Sequence, residues 1–164
     1  MHKHLIGSLL IVTALFVCPA RAAAQGNTFM QIAGILGDST DEGHKDWIDV
    51  MSLTQNFEAA VKASACSAAV TKGFDKAGPL LWLAAVTGQR LGEVKIEVMR
   101  GGDRPLKFYE LKISNARISA INSEPSNLAE SLQIVGDAAT LSYFPQDPVT
   151  GHLLAAVTAS ATCK

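Results

Sequence analysis

The residues from Asp38 to Asp49 gather most of the chemistry this sequence could offer. Counted from Asp38, oxygen-bearing side chains fall at positions 1, 3, 5 and 12, with Gly43 at position 6. That is the spacing of a calcium loop of the EF-hand kind, in which glycine permits the sharp turn and the last ligand is a bidentate glutamate. Three features argue against it. Thr40 stands where a carboxylate or amide is wanted, Asp49 is shorter than glutamate, and alternating rather than helical patterns flank the segment. The segment reads instead as an acidic, solvated loop between two strands, with no metal.

No other constellation supports catalysis. His44 and His152 are far apart in sequence, and both fall in loop-like stretches. There is no G-x-S-x-G elbow, no H-E-x-x-H pair and no glycine-rich phosphate loop before a helix. No C-x-x-C pair offers a zinc or redox site. The chain reads as non-enzymatic and without a cofactor.

The elements that would position these residues are mostly strands. Period-2 alternation marks half-buried strands. It appears at Met30/Ile32, at Ile48/Val50, at Val94/Ile96/Val98 and at Tyr109/Leu111/Ile113. It continues at Ile118/Ala120, Leu132/Ile134 and Leu141/Tyr143, and at Leu153/Ala155/Val157/Cys163. Gly101-Gly102-Asp103 reads as a hairpin connection, and Asn122–Asn127 and Pro145–Gly151 as surface loops. One helix is expected over Pro79–Thr87, with Leu80, Leu83, Ala84 and Thr87 on one face and Gly88 closing it. Many short strands and a single helix imply a mainly β, barrel-like or two-sheet domain.

The first 24 residues read separately. A basic start at His2–His4, a short apolar run from Leu5 to Val17 and the small residues Ala22–Ala24 describe a secretory signal peptide. The run falls short of the ~18–20 residues that span a bilayer. Val17 before Cys18 and Pro19 after it argue against a lipid anchor. Cleavage near Ala24–Gln25 would leave a domain of residues 25–164, exported to the periplasm or beyond. Cys66 and Cys163 then remain, either as one disulfide or as two buried thiols. The bridge would contribute up to about 4–5 kcal/mol in the chain-entropy picture. A hydrophobic share of 48% suffices for a core, and a net charge of -1 gives no footprint for nucleic acid or an anionic membrane.

The stretch Phe29–Val50, with Gly34-Ile35-Leu36-Gly37-Asp38-Ser39-Thr40-Asp41-Glu42-Gly43-His44 and then Ile48-Asp49-Val50, resembles the opening of the Hcp family of type VI secretion systems. Phe74–Gly88, with Asp75-Lys76-Ala77-Gly78-Pro79 and a terminal Thr87-Gly88, is similar to that family's helix block. Leu141–Gln146, followed by Asp147 and Gly151, looks like its late strand and turn. The resemblance implies a compact β-barrel with one helix that assembles as hexameric rings stacking into a tube. It implies a projecting loop for stacking, at Asp38, Thr40, Asp41, Glu42, Gly43 and His44. Edge strands would close the ring, for which Val98, Met99, Ala156 and Thr158 are the candidates here. Partners would be other copies, secretion-system proteins or cargo. The signal and the cysteine pair admit a second reading, an exported monomeric binding module of the same fold.

Overall fold

A computed structural model describes residues 27–57, 66–102 and 105–163. The expected signal peptide therefore lies outside the described residues. Six strands close into an antiparallel barrel. They are β1 (Thr28–Ile32), β2 (Ile48–Phe57), β3 (Cys66–Gly73), β4 (Gly92–Arg100), β5 (Leu106–Glu124) and β6 (Ala129–Gly136). Their order is β4–β1–β2–β3–β6–β5, and β5 returns to β4. Two further strands, β7 (Ala138–Tyr143) and β8 (Val157–Thr162), extend outward from β5. Closure removes most sheet edges and lets every inward residue meet another. The core follows: Met30, Ile32, Ile48, Val70, Val94, Ile96, Leu111, Ile113, Leu132 and Ile134 are all buried. The alternation read from the sequence thus predicted the inward face of most strands.

The alternation fails at three places, one of them β7, where Ser142 is buried and Tyr143 exposed. The two runs around Tyr109 and Ile118 are one strand of 19 residues, and its register shifts between Ile118 and Ala120. A bulge reverses the parity beyond it, so Ala120 is exposed and Ile121 packs on the core. The strand also runs on through Asn122–Glu124, because Ser123 and Glu124 still pair with Glu130 and Ala129. The loop expected there shrinks to a 3-10 turn at Pro125–Asn127. The run Leu153–Cys163 is shorter than expected, since the strand begins only at Val157. All six of its residues are exposed. Alternation in this run reflects strand geometry without burial.

Helix α1 (Gly78–Thr87) ends on Gly88, whose left-handed φ of 66° suits glycine. Its buried face is Gly78, Leu81 and Ala84, so the expected Leu80/Leu83 face is turned outward. The helix has no charged residue, so periodicity alone could not choose a side. Small residues at 77, 78 and 84 allow the close approach, and Leu81 fills the space between them.

A buried ion cluster ties the helix to the barrel. Lys72 is 0% exposed. Its ammonium donates to Asp75 Oδ1 at 2.7 Å, Glu130 Oε2 at 2.6 Å and the Gly73 carbonyl at 2.7 Å. Three donors meet three acceptors, which is the condition for keeping a charge out of water. Asp75 also accepts the Ala77 N–H at 3.0 Å, at the start of the helix. A Cβ on Gly78 would stand 2.9 Å from Glu130 Oε2, so the cluster itself requires glycine there.

Candidate assembly surfaces

The loop from Leu36 to Trp47 folds back on itself. The Gly37 N–H donates to the Asp46 carbonyl, the Ser39 N–H to that of Trp47 and the Asp46 N–H to that of Ser39. Gly37 passes so close over Trp47 and Ile48 that any Cβ would collide with their backbone. His44 fixes the loop to the barrel. Its ring stacks on Phe29, with centroids 4.1 Å apart, and meets Trp47 edge-on. Nδ1 lies 2.7 Å from Asp41 Oδ1 and Nε2 lies 3.1 Å from Glu97 Oε2. The bond to His44 is the main reason the Asp41 carboxyl sits below its ordinary value, helped by the backbone N–H groups of Gly43 and His44.

The expected solvated loop is therefore solvated only in part. Ser39 and His44 are buried and Asp41 is half-buried, while Asp38, Thr40, Glu42 and Gly43 remain exposed. A histidine pressed between an aromatic ring and two carboxylates gains too much from the barrel wall to stay in water. Asp38 and Asp46 are held by Lys76, whose Nζ lies 3.5 and 2.9 Å from them. The oxygens thus bond to hydrogen donors and do not converge. Among the described residues no group of three or more His, Cys, Asp or Glu is placed to hold a metal ion.

Beneath the loop, Glu97 of β4 and Glu110 of β5 stand directly opposite one another. Like charges in that position repel. Lys107 bridges them, at 3.2 Å from Glu97 and 2.6 Å from Glu110. Lys95 and Lys112 flank the pair.

The ring candidates fare unequally. Val98 and Met99 lie half-buried on β4, which is paired with β1 on one side and β5 on the other. It offers no free edge, because closure of the barrel consumes both sides of the strand, so any contact through Val98 and Met99 would use a face of the sheet. Ala156 and Thr158 lie exposed at the outer margin, where the Thr158 hydroxyl is 2.9 Å from that of Ser142. The sequence reading missed two other edges. Pairing of β1 with β2 stops at Val50, and pairing of β4 with β5 stops at Ala116. Among the described residues, Met51–Phe57 and Arg117–Glu124 are thus each paired on one side only. They bound the four-stranded segment β2–β3–β6–β5 on its two opposite sides. Reading them from sequence would have required knowing how far each ladder runs.

Cys66 and Cys163 are joined by a disulfide with Cα atoms 5.6 Å apart, within the range a bridge requires.

A closed six-stranded barrel with one helix and two outlying strands defines the fold. Residues 29–143 match the family described as "Type VI secretion system effector, Hcp", and the chain belongs to that family. Solved structures agree on the fold. Hcp1 from Salmonella typhimurium superposes with a TM-score of 0.71 at 19% identity, covering 84% of this chain and 94% of that one. A type VI secretion system effector from Yersinia pestis gives 0.68 at 21% identity, covering 82% and 98%. The secreted protein Hcp3 from Pseudomonas aeruginosa gives 0.65 at 21%, covering 85% and 99%. Among curated proteins nothing matches.

Proposed function

We propose that this chain is a non-enzymatic, ring-forming structural or carrier protein of the type VI secretion tube kind. It acts as a hexamer, after export, in the periplasm or outside the cell. The observation that carries the reading is the pair of half-paired strands at opposite sides of one sheet segment. Pairing of Met51–Phe57 in one copy with Arg117–Glu124 in the next is a heterologous contact, and such contacts close into rings when the rotation allows. The exposed part of the Asp38–His44 loop then bears on stacking between rings, with His44 holding the loop in place. The margin at Ala156 and Thr158 is the alternative closing surface.

Sedimentation of the mature protein tests this. The expected result is a hexamer that survives high salt, since edge pairing is not screened like exposed charges beyond a Debye length of ~8 Å. Thr54→Lys or Ala120→Lys, both at exposed edge positions, should reduce it to monomers, while Glu42→Ser leaves the ring closed. If Ala156→Arg alone disrupts it, closure runs through β8. The disulfide favours a second reading, an exported monomeric binding module. A wild-type chain that stays monomeric at high concentration selects that reading.

A further inference from the structure

We propose that the Cys66–Cys163 disulfide is a redox latch for β8: it holds this strand on β7, and its reduction releases the strand while leaving the barrel folded. The consequence for assembly rests on the ring reading above; the latch itself does not.

The two cysteines stand in opposite surroundings. Cys66 is buried at the start of β3, a strand paired on both sides with β2 and β6. Its neighbours stay in place by packing and pairing whether or not the sulfur is bridged. Cys163 follows β8 and is half-buried, against the 1% exposure of Cys66. All six residues of β8 are exposed, and β7 is the one strand it pairs with among the described residues. Ala159 and Ala161 lie opposite Leu141 and Ala139, yet both alanines remain open to water. Besides the backbone ladder, β8 is held by hydroxyl pairs at 2.9 Å, Thr140 with Ser160 and Ser142 with Thr158. A strand with no buried residue belongs to the low-stability end of a fold and opens locally.

The bridge acts where this weakness lies. One end of β8 is reached by the 144–156 connection, which is anchored to the barrel by the Phe144 N–H on the Phe108 carbonyl and by Arg100 on Gln146, and is folded on itself by the Leu154 N–H on the Pro145 carbonyl. At the other end, the Cys163 N–H donates to the Asp137 carbonyl at 2.7 Å, and the disulfide ties the residue to β3. With the bond intact, both ends are fixed and the strand cannot peel. With it broken, opening from Cys163 costs hydrogen bonds that water replaces. Breaking it takes two electrons and two protons. A dithiol supplies them: one thiolate attacks a bridge sulfur, its second thiol resolves the mixed disulfide, and two cysteine thiols leave with an oxidised dithiol. Exchange with a disulfide oxidant, which leaves as its dithiol with the two electrons and two protons, reverses this and completes the margin that carries Ala156 and Thr158.

Hydrogen exchange on the mature protein, oxidised and then treated with dithiothreitol, tests the latch. Reduction should speed exchange in Val157–Thr162 by roughly tenfold or more and bring it close to unprotected, while β3, β5 and β6 stay far better protected than β8. Cys163→Ser should reproduce the reduced pattern without any reductant. Unchanged exchange in β8 overturns the proposal. Uniform loss of protection across the barrel, or a reduced chain that fails to stay folded, also overturns it, because the bridge is then a staple of the whole domain. Sedimentation of the same two samples reads the ring separately: an oxidised monomer defeats the ring reading while the exchange data still judge the latch.

Discussion

The barrel wall at β3 and the margin at β8 use the same antiparallel pairing and differ in what lies behind it. On β3, the inward residues Cys66, Ala68, Val70 and Lys72 are all buried, and neighbours flank both edges. On β8, no residue is buried and, among the described residues, one edge is unpaired. Backbone hydrogen bonds contribute little net free energy where water competes for them. The contrast shows that pairing specifies where a strand lies, while burial decides how firmly it stays.

Lys72→Ala presses hardest on that contrast. It would leave the half-buried Asp75 and the buried Glu130 without their cation, at a cost of about 3–5 kcal/mol in a denaturant titration. Gly78→Ala forces a methyl group against the Glu130 carboxylate and should cost about 1–3 kcal/mol by the same measurement. His44→Ala should have a more local effect. The 36–47 loop loses its stack and both carboxylate bonds, so amide exchange accelerates there while the barrel core keeps its protection. Acid should act on the same loop. The Asp41 carboxyl titrates lower when folded than when unfolded, so its contribution is complete above the unfolded value and disappears as pH falls through the lowered one. Loop amide shifts followed by NMR should move in that acidic window, and in His44→Ala that transition should shift upward. At the far end, Ser160→Ala on β8 should change global stability by less than ~0.5 kcal/mol. A large effect there would break the comparison.

The barrel was legible because inward and outward residues alternate wherever a strand has one wet face, as at Val94–Val98 and Leu132–Ile134. The same rule misled at Ile118–Ala120, where a bulge changes parity without a marker in the residues, and at Leu153–Cys163, where alternation accompanies no burial. The face of α1 was not readable, because Leu80, Trp82, Leu83 and Val86 are as apolar as the residues that pack. They remain exposed, Trp82 at 56%. The loop motif was visible as a motif, but its posture depends on Phe29 and Glu97, and the sequence gives no means of pairing Glu97, 53 positions away, with His44. The cysteine pair was foreseeable as one of two alternatives. The half-paired edges of β2 and β5 depend on where ladders stop, a property of the assembled sheet.

The Cys66–Cys163 bond also turns most of the domain into a covalent circle. Every peptide bond between the two cysteines lies inside it, including those of the exposed turn at Pro148–Gly151, where Val149 is 91% exposed. A protease that cuts this turn opens the circle without releasing a fragment. Under non-reducing conditions the nicked chain should gain only the mass of one water and still migrate as a single species, and it should separate into two pieces once a thiol is added. In a protease-rich surrounding, a first cut would then be survivable.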